Sequence, residues 1–310
     1  MAGSDSNCVL ITGASGFVGA HVTRFALAAG SRVGILALPR DPLSRLASLR
    51  GAIRVVRGDL ASPQTYKAEI LELNPRACIH LAWYTEPGKY LDAGQNLDSF
   101  VGSMRLIEVL QEAGCEHLVG LGTCAEYETS TDLVAENSPT GPATLYAAAK
   151  LSTYLVGRIL AARGGMTFAW ARLFYLFGPG EDPRRLIPSL IRALGRGEEF
   201  PATEGTQVRD YLHVEDVASA IWRLADQGHE GIFNVCSGIP VTVRHLLTTA
   251  AGILGGADKV RFGEVPYRNW EPDFICGDNT RLQSSGWSPR YGLLDGLEHT
   301  VDWWACQAEG

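Results

Sequence analysis

The stretch Thr12-Gly-Ala-Ser-Gly-Phe-Val-Gly19 follows the apolar run CVLIT at 8–12 and precedes an apolar helical pattern that continues to Ala29. Its three glycines allow a tight turn and let the backbone approach a pyrophosphate at a helix N-terminus. An ordinary strand–helix turn can use the same residues, but the position between the first strand and the first helix favours a cofactor site. The residues predicted to bind a dinucleotide there are Gly13, Ser15, Gly16, Phe17, Val18 and Gly19.

Short apolar segments alternate with helical patterns over the first half of the chain. Strands are predicted at 8–12, 31–38, 53–57, 77–82, 117–121 and 167–173, and helices up to 29 and at 65–73, 96–113 and 145–162. This alternation indicates an α/β fold with a doubly wound parallel (Rossmann) sheet. After residue 178 the rhythm loosens, with helices near 184–195 and 213–227. We predict a dinucleotide-binding domain at 1–175 with returning segments near 208–236, and a smaller α/β C-terminal substrate lobe at 176–310.

Composition excludes several classes of function. The 310 residues carry 27 Lys+Arg against 34 Asp+Glu, a net charge of −7, which argues against binding nucleic acid through its phosphates. No apolar run approaches the roughly 20 residues of a membrane span, and no signal peptide is expected from residues 1–7. The seven cysteines form no CxxC or Cys/His cluster, so we predict no metal site, no disulfide framework and a reduced, cytoplasmic setting.

The end of the second predicted strand bears on the choice of cofactor. A ribose 2′-hydroxyl is usually held by an acid at this point, whereas a 2′-phosphate requires a cation. The segment reads Leu36-Ala-Leu-Pro-Arg40, and no acid precedes Asp41. Arg40 can reach a 2′-phosphate, although it can equally be a solvated loop residue. NADP(H) is therefore favoured, and NAD(H) remains possible.

Three polar residues form a candidate catalytic set. Tyr146 and Lys150, in YAAAK, lie one helical turn apart and share a helix face. A neighbouring ammonium lowers the pKa of a phenol, which makes the phenol a better proton donor. Thr123 follows the fifth predicted strand, at the C-terminal sheet edge where ligands bind in open α/β folds, and its hydroxyl can orient a reacting oxygen. A simple helix-surface pair is the alternative interpretation of Tyr146 and Lys150.

At this point the sequence resembles a known family, the extended short-chain dehydrogenases/reductases, in their nucleotide-sugar epimerase/dehydratase/ketoreductase branch. The resemblance covers nearly the whole chain, in order. The matching motifs are TGASGFVG at 12–19, GDL at 58–60, HLAW at 80–83, GTCAEY at 122–127, YAAAK at 146–150, FGPG at 177–180, RDYLHVEDVA at 209–218, VPYRNWEPDF at 265–274 and SGWSP at 285–289.

The resemblance implies roles for individual residues. Thr123, Tyr146 and Lys150 would be catalytic, and Lys150 would also hold the nicotinamide ribose. The implied cofactor contacts are Asp59 and Leu60 at the adenine and Leu81 and Ala82 beside the ribose. Arg209, with Arg268 as a second candidate, would bind the diphosphate of a nucleotide sugar, although an internal ion pair between Arg209 and Asp210 is an alternative.

Departures from the family pattern bear on the reaction. The 4,6-dehydratases of this family carry Asp-Glu directly after the catalytic Thr, where this chain has Cys124 and Ala125, which cannot perform that acid/base chemistry. Cys124 is also one place from the cysteine of the 3,5-epimerising relatives, and we interpret it as a small buried filler beside the substrate. Tyr175 replaces a phosphate-binding Asn, and Trp83 can form an apolar wall of the sugar pocket or belong to the core.

The preferred function is NADPH-dependent reduction of a keto group, at C4 of a nucleotide-activated 4-keto-6-deoxy sugar. An NAD-dependent nucleotide-sugar 4-epimerase would use the same three catalytic residues and is the first alternative. A non-catalytic dinucleotide-binding sensor is the second, although such a protein has no need for the catalytic set. Family members commonly pair through the helix that carries YxxxK and its neighbour, so a homodimer is expected.

Overall fold

The computed structural model describes residues 7–267 and 272–308. The described chain divides into two compact units. The first runs to Glu126 and adds Thr140–Arg172 and Ala218–Phe233, and the second comprises Tyr127–Pro139, Leu173–Val217 and the residues from Asn234 onward. The functional division at residue 175 stays a prediction.

The first unit is built on alternating strands and helices. In chain order these are β1 (Cys8–Thr12), α1 (Phe17–Ala28), β2 (Arg32–Ala37), β3 (Ile53–Arg57), α2 (Lys67–Leu73), β4 (Ala77–His80), α3 (Gln95–Glu112), β5 (His117–Thr123), α4 (Leu145–Arg163) and β6 (Thr167–Leu173). All residues of β1 and β5 are buried, as expected for strands covered by helices on both faces.

The remaining elements are shorter on average. They are β7 (Tyr175–Phe177), α5 (Leu186–Gly195), β8 (Phe200–Ala202), β9 (Val208–His213), α6 (Val214–Asp226), β10 (Gly231–Val235), β11 (Pro240–Thr242), α7 (Val243–Ile253), β12 (Val260–Phe262), β13 (Phe274–Ile275), α8 (Thr280–Ser284) and α9 (Leu293–Ala308). Within the second unit β9 pairs with β11, β13 and β7, and β8 pairs with β12. A second apolar cluster, which includes Leu190, Leu246 and Leu297, forms the core of this unit.

The main sheet has seven strands among the described residues, in the order β10-β6-β5-β4-β1-β2-β3. The pairs β1–β2, β2–β3, β1–β4 and β4–β5 are parallel. The reversal of strand order beside β1 is the switch point of a doubly wound fold, so the predicted Rossmann fold with its smaller C-terminal α/β part is confirmed. The carboxyl ends of β1, β4 and β5 therefore lie side by side at one sheet edge.

Two strand boundaries differ from the prediction. β4 ends at His80 rather than at residue 82, because the backbone N–H of Ala82 donates to Thr12 Oγ1 (3.1 Å) instead of continuing the strand ladder. β5 extends to Thr123 instead of stopping at residue 121. Within the described ranges, none of the helices combines the length and the apolar character required to cross a bilayer.

Candidate active site

The glycine turn packs tightly against the end of β4. Gly13 has φ +66°, and a Cβ there would lie 2.7 Å from the backbone N of Ala82. A Cβ on Gly19 would lie 2.1 Å from the Gly13 carbonyl oxygen, so α1 can approach β1 only because residue 19 is a glycine. The structure therefore brings Gly13, Gly19, Leu81 and Ala82 together, as the sequence predicted for one cofactor site.

The start of α1 is suited to an anion. Its N-cap, Gly16, has extended backbone and contributes no side-chain cap, so Phe17, Val18 and Gly19 begin the helix without a capping side chain. The first N–H groups of a helix carry partial positive charge and need acceptors, which a pyrophosphate provides. The residues present fit the diphosphate of a dinucleotide, on the evidence of this bare helix start and the close approach at Gly13.

The loop after β2 places an acid against the turn, which the sequence reasoning did not predict. Ser15 Oγ donates to Asp41 Oδ2 (2.5 Å), and Asp41 Oδ1 accepts from the Leu43 N–H (2.8 Å). Arg57 donates to the Asp41 carbonyl (2.9 Å), while Arg40 is exposed. A carboxylate and guanidinium groups thus share the place where the cofactor's ribose is recognised in this fold.

Asp59 and Leu60 follow β3 on the other side of that loop. The Asp59 carboxylate accepts from the Ala61 N–H (3.0 Å), and its own N–H donates to Thr65 Oγ1 (3.1 Å). Leu60 packs against the core of the first unit and against Gly102, where a Cβ would lie 2.9 Å from that of Leu60. The geometry leaves the adenine contact of these two residues a prediction.

The three candidate catalytic residues meet at the end of β5. The Thr123 side chain is hydrogen-bonded to the Tyr146 hydroxyl. Thr123 Oγ1 also accepts from the Ala125 N–H (3.3 Å). Lys150 Nζ donates to the Leu121 carbonyl (2.9 Å), two residues before Thr123 on the same strand. A proton-bearing phenol, an orienting hydroxyl and an amine therefore lie close together.

The electrostatics of Tyr146 correct one expectation. Burial raises the pKa of Tyr146 above its usual value, the Tyr90 hydroxyl adds to that rise, and the hydrogen bond with Thr123 opposes it. The sequence predicted that Lys150 lowers the pKa of Tyr146. Burial instead has the largest effect on this pKa. The Lys150 amine lies 5.9 Å from the centroid of the Tyr146 ring, but burial also disfavours its charged form. Tyr146 therefore carries its proton at neutral pH.

Lys150 is about half protonated at neutral pH. Burial lowers its pKa to about 7, and the carboxylate of Glu126 counteracts part of that shift. The ammonium lies over the ring of Trp83, 4.0 Å from its centroid. A cation over an aromatic face is stabilised by the ring quadrupole. Trp83 is thus in contact with a candidate catalytic residue, and its role as a wall of the sugar pocket stays a prediction.

Sequence reasoning missed the residue that fixes Trp83. Asn96, which is fully buried near the start of α3, accepts from Trp83 Nε1 (2.8 Å) and donates to the carbonyls of Tyr90 (2.6 Å) and Ala93 (2.9 Å). Tyr90 packs edge-on against Tyr146, with ring centroids 4.9 Å apart. The only signal for Asn96 in the sequence was a polar residue at an apolar position of a helix.

The residues after Thr123 also differ from expectation. Cys124 is half-buried rather than a buried filler, because Cys124–Glu126 forms a short 3-10 helix that leaves this thiol partly accessible. Glu126 is fully buried and was not predicted as a functional residue. An acid between an apolar strand and Tyr127 was the signal that could have found it.

The second unit holds the remaining predicted substrate residues. Arg209 is buried on β9, donates to the Val208 carbonyl (2.8 Å) and lies over the Tyr175 ring at 5.4 Å. The Asp210 carboxylate, on the opposite face of β9, accepts from the N–H groups of Ser237 (2.7 Å) and Gly238 (2.9 Å). Arg268 lies outside the described residues.

A group of His213, Glu215 and His299 has ligand atoms within 4.8 Å of one another, which the sequence did not predict. The Glu215 N–H donates to His213 Nδ1 (3.3 Å), so the neutral ring carries its proton on Nε2 and donates it to His299 Nδ1 (3.3 Å). Tyr291 donates to Glu215 (3.0 Å). Helix capping and these hydrogen bonds explain why the three side chains lie close together.

Comparison with known proteins agrees with this geometry. Residues 9–236 match the model of the NAD dependent epimerase/dehydratase family. The chain belongs to that family. The matched residues include the glycine turn and all three candidate catalytic residues, and the description of the family names NAD.

Individual relatives catalyse different reactions. The chain is 28% identical to the dTDP-glucose 4,6-dehydratase of Streptomyces griseus (96% of this chain, 93% of the relative) and 28% identical to the GDP-6-deoxy-D-mannose reductase of Pseudomonas aeruginosa (96% of each). It superimposes on the UDP-glucose 4-epimerase of Thermus thermophilus, solved as a complex with NAD, with TM-score 0.87 and 25% identity over 96% of this chain and 99% of that one.

Proposed function

We propose that this member of the family is an NADPH-dependent reductase of a nucleotide-activated 4-keto-6-deoxy sugar, acting at the C4 carbonyl. The observation that carries the proposal is the hydrogen bond between the Thr123 side chain and the Tyr146 hydroxyl, which places a proton-bearing phenol beside a hydroxyl that can orient the reacting oxygen. A reductase requires such a donor. The similarity to a GDP-6-deoxy-D-mannose reductase supports the same reaction class.

The chemistry of the site follows from these residues. When bound, the nicotinamide cofactor supplies the hydride. Tyr146 would donate its proton to the sugar oxygen. An ordinary phenol, with a pKa of about 10, is a stronger acid than water, with a pKa of about 16, so a phenol can protonate the oxygen of a carbonyl that is being reduced. Thr123 orients the oxygen. Lys150, in its ammonium form, would hold the ribose of the cofactor.

Dehydration is disfavoured by the residues beyond Thr123. Cys124 and Ala125 occupy the positions of the dehydratase acids. The next acid, Glu126, is fully buried and accepts hydrogen bonds from Trp170 (3.1 Å) and Arg172 (2.8 Å), so it is not available to a substrate. The similarity to a dTDP-glucose 4,6-dehydratase therefore reflects the shared fold and cofactor chemistry rather than elimination.

A 4-epimerase is the alternative that the structural similarity favours. Epimerisation removes the hydride from C4 and returns it to the opposite face, using the same Thr, Tyr and Lys. The Thermus epimerase was solved with NAD bound. An epimerase retains its cofactor through the cycle, so stoichiometric NAD in the purified protein with no net oxidation would select this alternative.

NADPH is the cofactor that we propose. The glycine-turn residues and Leu81–Ala82 would hold the diphosphate and ribose, and Asp59 and Leu60 the adenine. Arg40 would bind the 2′-phosphate, with Arg57 adding positive charge behind the same loop. Asp41 opposes this preference, but its carboxylate is engaged by Ser15 and by the Leu43 N–H.

We propose the following residues for the substrate. Trp83 and Cys124 would line the sugar, whereas Tyr175, Arg209 and Arg268 would bind the nucleotide diphosphate. A guanidinium group matches a diphosphate in charge and geometry. We further propose a homodimer formed through α3 and α4, and a cytoplasmic location.

Product analysis tests the proposal directly. Purified protein is mixed with NADPH and a panel of UDP-, dTDP- and GDP-linked 4-keto-6-deoxy sugars, and NADPH oxidation is followed together with mass spectrometry of the nucleotide sugar. A gain of two mass units with stoichiometric NADPH consumption is expected. Inversion at C4 of a 4-hydroxy nucleotide sugar supplied with NAD, without net cofactor reduction, would instead identify an epimerase.

A further inference from the structure

Glu126 lies directly beneath the catalytic threonine. Its Oε1 accepts from the backbone N–H of Thr123 (2.9 Å) and from Trp170 Nε1 (3.1 Å). Its Oε2 accepts from Arg172 Nε (2.8 Å). The Glu126 and Arg172 side chains are 0% and 2% exposed, so this ion pair is out of contact with water.

The local sequence is built around this carboxylate. A Cβ on Gly122 would lie 2.5 Å from Glu126 Oε1 and 2.3 Å from Trp170 Nε1, so only glycine leaves room for the network behind the strand. Trp170 and Arg172 come from β6, two residues apart, and therefore point to the same face of the sheet. The carboxylate thus ties the last residue of β5 to its neighbouring strand.

We infer that Glu126 is a positioning residue for the reductase reaction, because its buried carboxylate fixes the backbone of Thr123 and so the hydroxyl that orients the reacting oxygen. This inference rests on the proposed function. Burial of a charged pair is costly and seldom adds net stability, so stability alone gives little reason for it. The charge has a second effect at the site, since Glu126 favours the ammonium form of Lys150.

Two double variants separate positioning from charge burial. Glu126→Gln/Arg172→Met removes both charges but leaves an amide oxygen for the Thr123 N–H. Glu126→Met/Arg172→Met has nearly the same shape and removes that acceptor. We expect the Met variant to have a kcat about 10- to 100-fold below that of the Gln variant, with an unchanged Kd for NADPH, because misplacement of a catalytic group by about 1 Å slows the chemical step.

Equal kcat values per folded molecule in the two variants would overturn the inference. If the Met variant does not fold, hydrogen exchange of the Thr123 amide tests the inference instead. Protection of this amide in wild type and in the Gln variant supports the inference. Fast exchange of this amide in a fully active Gln variant contradicts the inference. Failure of the proposed function is recognised separately, since wild type would then reduce no keto sugar while the amide measurement still reports on the hydrogen bond.

Discussion

The amine of Lys150 lies 4.0 Å from the centroid of the Trp83 ring and donates to the Leu121 carbonyl at 2.9 Å. Asn96 holds the indole in that place through a 2.8 Å hydrogen bond. The amine therefore lies between the Leu121 carbonyl and the face of the Trp83 ring. This arrangement keeps Lys150 in position while burial brings its pKa to about 7.

Replacing Lys150 by Met should stabilise the protein while abolishing turnover. The pKa of this lysine falls from 10.5 unfolded to about 7 folded, so the unfolded chain binds more protons between those values and the wild type loses stability as the pH falls towards 7. We expect Lys150→Met to raise the free energy of unfolding by about 2–4 kcal/mol near pH 7, after allowing for one lost hydrogen bond.

That gain should shrink as the pH rises through 10.5, because the folded and unfolded lysine are both neutral above that value. Urea titrations of both proteins at pH 7 and pH 9.5, without cofactor, measure it. A gain that is the same at both pH values would show that the amine is charged and solvated in the folded protein.

Removing the Tyr146 hydroxyl should stop the reaction without affecting cofactor binding. We expect Tyr146→Phe to lower kcat by about 10²- to 10⁴-fold, the usual contribution of a positioned general acid. NADPH oxidation gives kcat, and cofactor fluorescence gives the Kd. Tyr154→Phe, on the same helix but against Phe168 and Trp170, is the matched control. An undiminished kcat in Tyr146→Phe would show that Tyr146 is not the proton donor.

The sequence was sufficient to predict elements whose signal is local. The turn at Gly13–Gly19, the strands β1 to β6 and the pair Tyr146 and Lys150 are encoded by spacing within a few residues. The contacts of Lys150 with Trp83 and of Glu126 with Arg172 join positions 67 and 46 residues apart. Such contacts depend on side-chain packing across the sheet edge, which periodicity does not describe.

Gly19 tests the close packing beneath the cofactor turn. Its Cβ would lie 2.1 Å from the Gly13 carbonyl oxygen and 2.7 Å from Ala14 Cα, both backbone atoms that cannot rotate away. Gly19→Ala should destabilise the protein by about 1–3 kcal/mol or more, as overpacking does, and weaken NADPH binding. Gly252→Ala, in α7 with nothing within 4 Å of the added atom, should stabilise by about 0.5–1 kcal/mol. Thermal unfolding of both variants distinguishes steric conflict from a general glycine effect.

Arg40 tests the choice between the two cofactors. If its guanidinium binds the 2′-phosphate, Arg40→Ser should raise the KM for NADPH by about 10- to 100-fold, the equivalent of one hydrogen bond to a charged group, and leave the KM for NADH nearly unchanged. The surface variant Arg261→Ser, in the second unit, should change neither value. Equal effects of Arg40→Ser on both cofactors would assign Arg40 to the solvated loop instead.

Five exposed apolar side chains on α3 and α4 test the proposed dimer. Leu97, Val101, Leu155, Val156 and Ile159 are 40–54% exposed, and α3 packs against α4 in the first unit. Covering such a surface with a second copy removes apolar area from water, and a stable dimer buries about 1,200–2,000 Å² in total. We expect Val156→Asp/Ile159→Asp to yield monomers in sedimentation experiments over a dilution range in which wild type remains dimeric. Leu294→Asp, equally exposed on α9 of the second unit, should leave the dimer intact; dissociation by this control alone would place the interface on the other unit.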